Sequence, residues 1–322
     1  MPVIEKSTYP GAPFWQFNGH LQTLAAGLFR KLPETPYRRE RIDTQDGDFL
    51  DLDWLESGRR RLAIISHGLE GNSTRPYVRG MAALYFQEGW DVLAWNCRSC
   101  SGEMNRTFRL YHHGDVEDIG AVVRHALQAG QYDRIALVGF SMGANITMKY
   151  LGVHGAQAPV EIRSAVAFSA PVQLEEGAEV IDRWDNFLYR QRFKKRLGVK
   201  LKIKAQQYPG LLDIEKLEQI KRWRDFDEWF SAPICGYRSA DEFYQKASAA
   251  NFLDGIRVPT LLVNALNDPI LTPGCMPETI AREHEFFHLE MPEEGGHCGF
   301  QLPKKDTFAW SEYRALEFSE NA

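Results

Sequence analysis

The sequence predicts an α/β fold: a mostly parallel sheet covered by helices on both faces, with a helical cap inserted between two of its strands. Three observations carry that expectation. Short apolar, β-branched runs alternate with longer helix-compatible stretches, and strands separated by helices pair in parallel. One such run, 135–138, ends in Gly139-Phe140-Ser141-Met142-Gly143 and passes at once into a helix-compatible stretch, 144–151. Between 173 and 255 the buried runs stop, and the chain turns rich in Arg, Lys, Tyr, Trp and Phe.

The 322 residues suit one large α/β domain with an insertion, or two domains. A hydrophobic share of 44% and a charged share of 25% are ordinary for a globular chain. The net charge of −5 argues against a nucleic-acid partner, which would call for a basic surface. No run approaches a membrane span, and the first residues lack the basic-then-apolar layout of a signal peptide. A cytoplasmic monomer or dimer is expected. Five cysteines, an odd number, fit that setting. Cys97 and Cys100 have redox-motif spacing, but they neither open a thioredoxin-like helix nor have a second pair to complete a zinc site, so two loop thiols are expected.

In chain order, residues 1–37 read as an irregular leader whose Tyr9, Phe14, Trp15 and Phe17 imply packing on the body. Strands at 38–43 and 49–55 flank Asp46-Gly47, a hairpin signal. A buried strand at 62–66 ends in His67-Gly68; a helix follows at 77–88, then a strand at 92–95. The helix at 115–129 has acidic residues in its first turn, favoured by the helix dipole. Strands at 165–169, 260–263 and 286–290 and a closing helix at 311–318 complete the core. The core is therefore 38–172 with 256–322, and 173–255 is the cap. Ligands of open α/β sheets bind beyond the carboxyl ends of the strands, where such a cap would form a roof.

The chemistry gathers at those ends. A strand–Gly-x-Ser-x-Gly–helix sequence is a nucleophile elbow, which holds Ser141 at the tip of a strained turn. Positions 139 and 143 must be glycine because neighbouring strand and helix close on them. A serine hydroxyl needs a base, and the base an orienting carboxylate. The order expected in this architecture is serine, acid, histidine. Asp268, in the loop after the apolar strand 260–263, supplies the acid, with Asn267 and Glu294 as rivals. His297, between Gly296 and Cys298, supplies the base; His288 is a rival inside a strand, and Cys298 is incidental. The oxyanion donors expected are the backbone N–H groups of Met142, after the nucleophile, and Leu69, in His67-Gly68-Leu69-Glu70-Gly71. His67 is expected to support that loop. The string from His113 to Asp118 matches a short acyltransferase pattern, but it straddles a helix start where acids are common.

These residues resemble the YheT-like group of α/β-hydrolases, related to eukaryotic ABHD lipases and to medium-chain ester synthases. The resemblance runs nearly end to end. It rests on Asn18-Gly19-His20-Leu21-Gln22-Thr23, Asp46-Gly47-Asp48 with Leu52-Asp53-Trp54, the 67–71 loop, 96–103, Tyr111-His112-His113-Gly114, 139–145 and 264–269. It implies the α/β-hydrolase fold and a Ser141–His297–Asp268 triad. It also implies action on small-molecule acyl esters, without metal or organic cofactor. Ser99 stands where a glycine is expected, and Asn267 where a second aspartate is common. No membrane anchor precedes the leader, so membrane residence does not carry over. Three functions follow: a serine esterase for short- to medium-chain acyl esters, an acyltransferase using an alcohol acceptor, or a ligand-binding protein on a hydrolase scaffold. The cap aromatics Phe187, Tyr189, Phe193, Trp223, Phe226, Trp229 and Phe230 are available to line its pocket.

Overall fold

The structure is a computed structural model and describes residues 2–30 and 32–322. Its nine strands, among the described residues, form one sheet in the order β1-β9-β8-β7-β6-β4-β5-β3-β2. The leader supplies β1 (Val3–Ile4) and α1 (Gly19–Leu28); β2 (Arg38–Asp43) and β3 (Phe49–Leu55) follow as an antiparallel hairpin. Then come β4 (Arg61–Ser66), α2 (Pro76–Gln87), β5 (Asp91–Asn96), α3 (Val116–Gln128), β6 (Arg134–Phe140), α4 (Met142–His154) and β7 (Ile162–Phe168). The cap contributes α5 (Leu174–Ile181), α6 (Phe187–Gln207), α7 (Lys216–Gln219), α8 (Trp223–Phe226), α9 (Ala232–Ile234) and α10 (Ala240–Ala247). β8 (Thr260–Val263), α11 (Glu278–Glu283), β9 (Phe287–Glu290) and α12 (Trp310–Asn321) close the chain. Apart from the β2–β3 and β3–β5 pairs, neighbouring strands run parallel.

The period of two explains why the central runs are apolar throughout. Leu62, Ile64, Ile135 and Leu137 enter the core on one side of the sheet, while Ala63, Ile65, Ala136 and Val138 enter the other. Both faces are covered, so neither parity can be polar. α3 and α4 cover the first face, α2 and α12 the second.

The leader departs from the expectation of an irregular segment. β1 pairs with β9, and Asn18 caps α1 by accepting from Leu21 N–H. Two residues are too few for a strand pattern. α1 buries only Gly19, Gln22, Ala25 and Ala26, so no apolar stripe announces it. Between β7 and β8 the described residues hold helices alone, packed on their own apolar cluster that includes Leu201, Leu217, Phe226, Phe230 and Phe243.

Register sets up the site. β4 and β6 are neighbours with Ser66 opposite Gly139, so the 67–71 loop and the turn after β6 emerge side by side.

Candidate active site

β6 ends at Phe140, α4 starts at Met142, and Ser141 between them has φ 53° and ψ −119°. Non-glycine residues rarely hold a positive φ, so the surroundings must fix it. Ser141 N–H donates to the Phe168 carbonyl at 2.8 Å, and its own carbonyl accepts from Ala144 and Asn145. A Cβ at Gly143 would collide with the Ser66 and His67 carbonyls, and one at Gly139 with the Ala144 backbone. The glycine requirement is thus the close approach of β4 and α4.

The loops after β8 and β9 deliver the partners. Ser141 Oγ lies 2.8 Å from His297 Nε2. His297 Nδ1 lies 2.9 Å from one carboxylate oxygen of Asp268 and 3.2 Å from the other. Asp268 is buried and also accepts from Ile270 N–H at 2.9 Å, which fixes its plane. The rivals sit elsewhere. Glu294 accepts from Ala12 N–H, and the His288 ring packs against Phe318. Asn267 accepts from Gly296 N–H and donates to Gln22, so it joins the acid and histidine loops without touching the imidazole.

Gln22 and Thr23 were not foreseen as site residues. Thr23 Oγ1 accepts from His297 N–H at 2.8 Å, and the Gln22 carbonyl oxygen accepts from Gly295 N–H at 2.9 Å. The leader thereby holds the histidine loop. The available signal was the 18–23 motif carried by the resemblance; no local chemistry marked it.

On the oxyanion side, Cys97 N–H donates to His67 Nε2 at 3.0 Å, which leaves the ring proton on Nδ1. From there it donates to the Gly68 carbonyl at 2.7 Å. That carbonyl is the other end of the peptide that carries the Leu69 N–H. Burial lowers the His67 pKa to about 4, so the ring is neutral. Gly68 lies against Ser141: a Cβ there would be 3.1 Å from Ser141 Cβ. Among the described residues, neither the Leu69 nor the Met142 amide enters a loop or side-chain hydrogen bond. The cap reaches this loop through Lys200, whose Nζ donates to Glu70 at 2.6 Å.

A cleft opens on Ser141, His297 and Leu69 and runs beneath the helices between β7 and β8. Phe193, Trp223, Phe226 and Phe230 line it, as do Leu110 and Tyr111 from the core. Three expected aromatics do not. Phe187 is exposed, Tyr189 stacks on His20, and Trp229 packs within the cap cluster. Helical phase decides this, because α6 turns Phe193 inward and Phe187 outward. The one carboxylate in the lining, Asp227, accepts from Tyr244 at 2.8 Å, and burial raises its pKa to about 6.

The remaining candidates separate. Cys97 and Cys100 are buried free thiols, and burial raises both pKa values. Asp118 pairs with Arg98 at 2.7 Å, whereas His113 lines the cleft, so the two are not brought together. Ser99 has φ 61°, a conformation that explains the glycine of the family pattern, and its Oγ donates to Asn105. Among the described residues no group of His, Cys, Asp and Glu is placed to hold a metal, and no helix is long and apolar enough to cross a membrane.

The family model for the α/β hydrolase fold matches residues 64–301. YheT of Escherichia coli, a candidate esterase by name, is 34% identical over 88% of this chain and 84% of its own length. The mouse phospholipase ABHD3 is 28% identical over 93% of this chain and 74% of its own. The medium-chain fatty acid ethyl ester synthase/esterase 2 of Saccharomyces cerevisiae is 26% identical over 80% and 61%. Among solved structures, the Pyrococcus furiosus esterase Pf2001 superposes with a TM-score of 0.59 at 19% identity, covering 91% of this chain and 95% of that one. That likeness is one of fold.

Proposed function

The chain belongs to the α/β-hydrolase family, as a hydrolase related to YheT, and on that premise we propose that it is a serine esterase for short- to medium-chain acyl esters. One observation carries the reading: an unbroken hydrogen-bonded line from Ser141 through His297 to Asp268, standing at the mouth of an apolar cleft. In this reading His297 takes the Ser141 proton as Oγ attacks the ester carbonyl, and Asp268 holds the imidazole and balances its charge. The oxyanion is received by the Leu69 and Met142 amides, which have no other acceptor. Collapse expels the alcohol, protonated by His297. Water, activated by the same histidine, then hydrolyses the acyl-enzyme. The chemistry asks for no metal or organic cofactor. The cleft walls suit an acyl chain, and the substrate is a small molecule.

A fluorophosphonate probe should label Ser141 covalently, and Ser141→Ala should abolish labelling and lower ester kcat by about 10⁶. Labelling at another residue, or turnover near wild type in the alanine variant, overturns the assignment. No labelling of folded protein would favour the binding-protein alternative. An alcohol can replace water at the second step, and the yeast relative's name covers both outcomes. Turnover in added ethanol, with ethyl ester and free acid counted separately, decides between esterase and ester synthase.

A further inference from the structure

Large aromatic side chains left on the surface lie in the leader and at the start of the helical segment after β7. Phe14 is 94% exposed, Phe17 76% and Trp184 89%. Contacts between leader and cap join the segments that carry Phe17 and Trp184. His20, three residues after Phe17, hydrogen-bonds the Tyr189 hydroxyl at 3.3 Å and stands 3.9 Å from Asp185, the neighbour of Trp184. Trp15 meets Phe29 edge-on at 6.4 Å, which joins the two ends of α1. The face adjoins the active site: Leu266 is exposed two residues before Asp268, and Asn186 donates to the Pro269 carbonyl at 2.7 Å. Isolated exposed apolar residues are ordinary, but a cluster of this kind marks an interaction surface.

The charge around it indicates what the surface meets. α6 holds eight Lys and Arg and no Asp or Glu, in a chain of net charge −5. Its outward stripe includes Leu188, Arg192, Lys195, Val199 and Lys202, and its three cations enter no ion pair among the described residues. On the other flank, Lys304 and Lys305 are exposed, unpaired, and line a cleft with Trp15 and Phe29. Aromatic rings rimmed by free cations match a headgroup layer with negative charge, where rings enter the interface and cations meet phosphates. A second copy of the chain would bring like charges together.

We propose that this leader–cap face docks on an anionic phospholipid surface. The docking does not depend on the esterase reading, and its test needs no turnover. The full chain should sediment with vesicles of phosphatidylcholine containing phosphatidylglycerol, much less with phosphatidylcholine alone, and salt should release it. The triple variant Phe14→Ser, Phe17→Ser, Trp184→Ser should weaken binding by about tenfold or more. Lys195→Glu with Lys202→Glu should lower binding to the anionic vesicles while the circular dichroism stays that of the folded chain. If the triple variant loses its folded circular dichroism, the charge variant carries the test. Absence of binding to the mixed vesicles, or equal binding by both variants, overturns the proposal. So does a dimer that the triple variant dissolves in the absence of any vesicle binding, since the face would then be a contact between copies.

Discussion

At Ser141 the backbone is held in a region that most side chains avoid, and three hydrogen bonds to its own peptide groups keep it there. The same economy governs its partners, each positioned through a bond that does not involve the reacting proton. Asp268→Asn should cut kcat by roughly 10⁴, because an amide favours the wrong imidazole tautomer. The same change at Asp254, exposed and remote, should do little. Steady-state ester kinetics on both variants decides it, and a Glu294→Gln variant with the larger loss would mean the acid is misassigned. His67→Phe should lower kcat by about ten- to hundredfold with KM nearly unchanged, since it frees the Gly68–Leu69 peptide from its anchor. Ser141, Asp268 and His297 could be named as candidates because each sits in a local pattern: an elbow, a loop after an apolar run, a glycine-flanked histidine; the structure brings the three within hydrogen-bond distance. Gln22 and Thr23 act across more than 270 residues of chain. Nothing near them in sequence foretells which loops they will hold.

Among the elements, the central strands were legible because burial on both faces leaves a continuous apolar run, and the structure shifts their ends by up to three residues. α1 was not, since a helix that buries mostly glycine and alanine shows no stripe. The stretch between β7 and β8 is helical, as its lack of buried runs suggests, but which of its aromatics face the cleft depends on helical phase and on short turns such as the π-helix Asp227–Ser231. A pocket of this kind gains about 0.8 kcal/mol for each methylene it buries, up to its depth. Specificity constants for p-nitrophenyl esters should therefore rise with acyl length and then turn over. Ala178 is buried on α5 and lines the cleft. Ala178→Leu should move the turning point to shorter chains and leave acetate turnover nearly unchanged. A flat chain-length profile, or equal losses on acetate and long esters, would remove the cap from substrate selection.

For the whole molecule, the buried histidines set how stability responds to acid. Burial lowers His67 and His113 to about 4 and His112 to about 3, so all three are neutral in the fold. The unfolded chain binds their protons below about 6.5, so each contributes stability that is present above that pH and lost as pH falls toward the folded value. Asp227 acts in the opposite sense. Burial raises it to about 6, so its contribution is full below the ordinary carboxylate value and lost as pH rises through 6. Between pH 6.5 and 4 these histidines, with His154, which burial also lowers, stand against Asp227 and three further carboxyls that burial raises, Asp118, Asp182 and Glu312, so the share of one histidine is read against a variant. Asp48 does not enter this window: hydrogen bonds from Asn105 and Thr107 outweigh its burial and hold it low. From pH 7 to pH 5 the melting temperature of His113→Gln should rise by a few degrees relative to the parent chain, on the order of 2 kcal/mol for one histidine. His113→Gln removes one of the three titrations without touching the Ser141–His297–Asp268 line, and should flatten the slope by about one proton. Calorimetry across that range reads both effects. A slope that the variant leaves unchanged would mean that the His113 ring is charged in the fold.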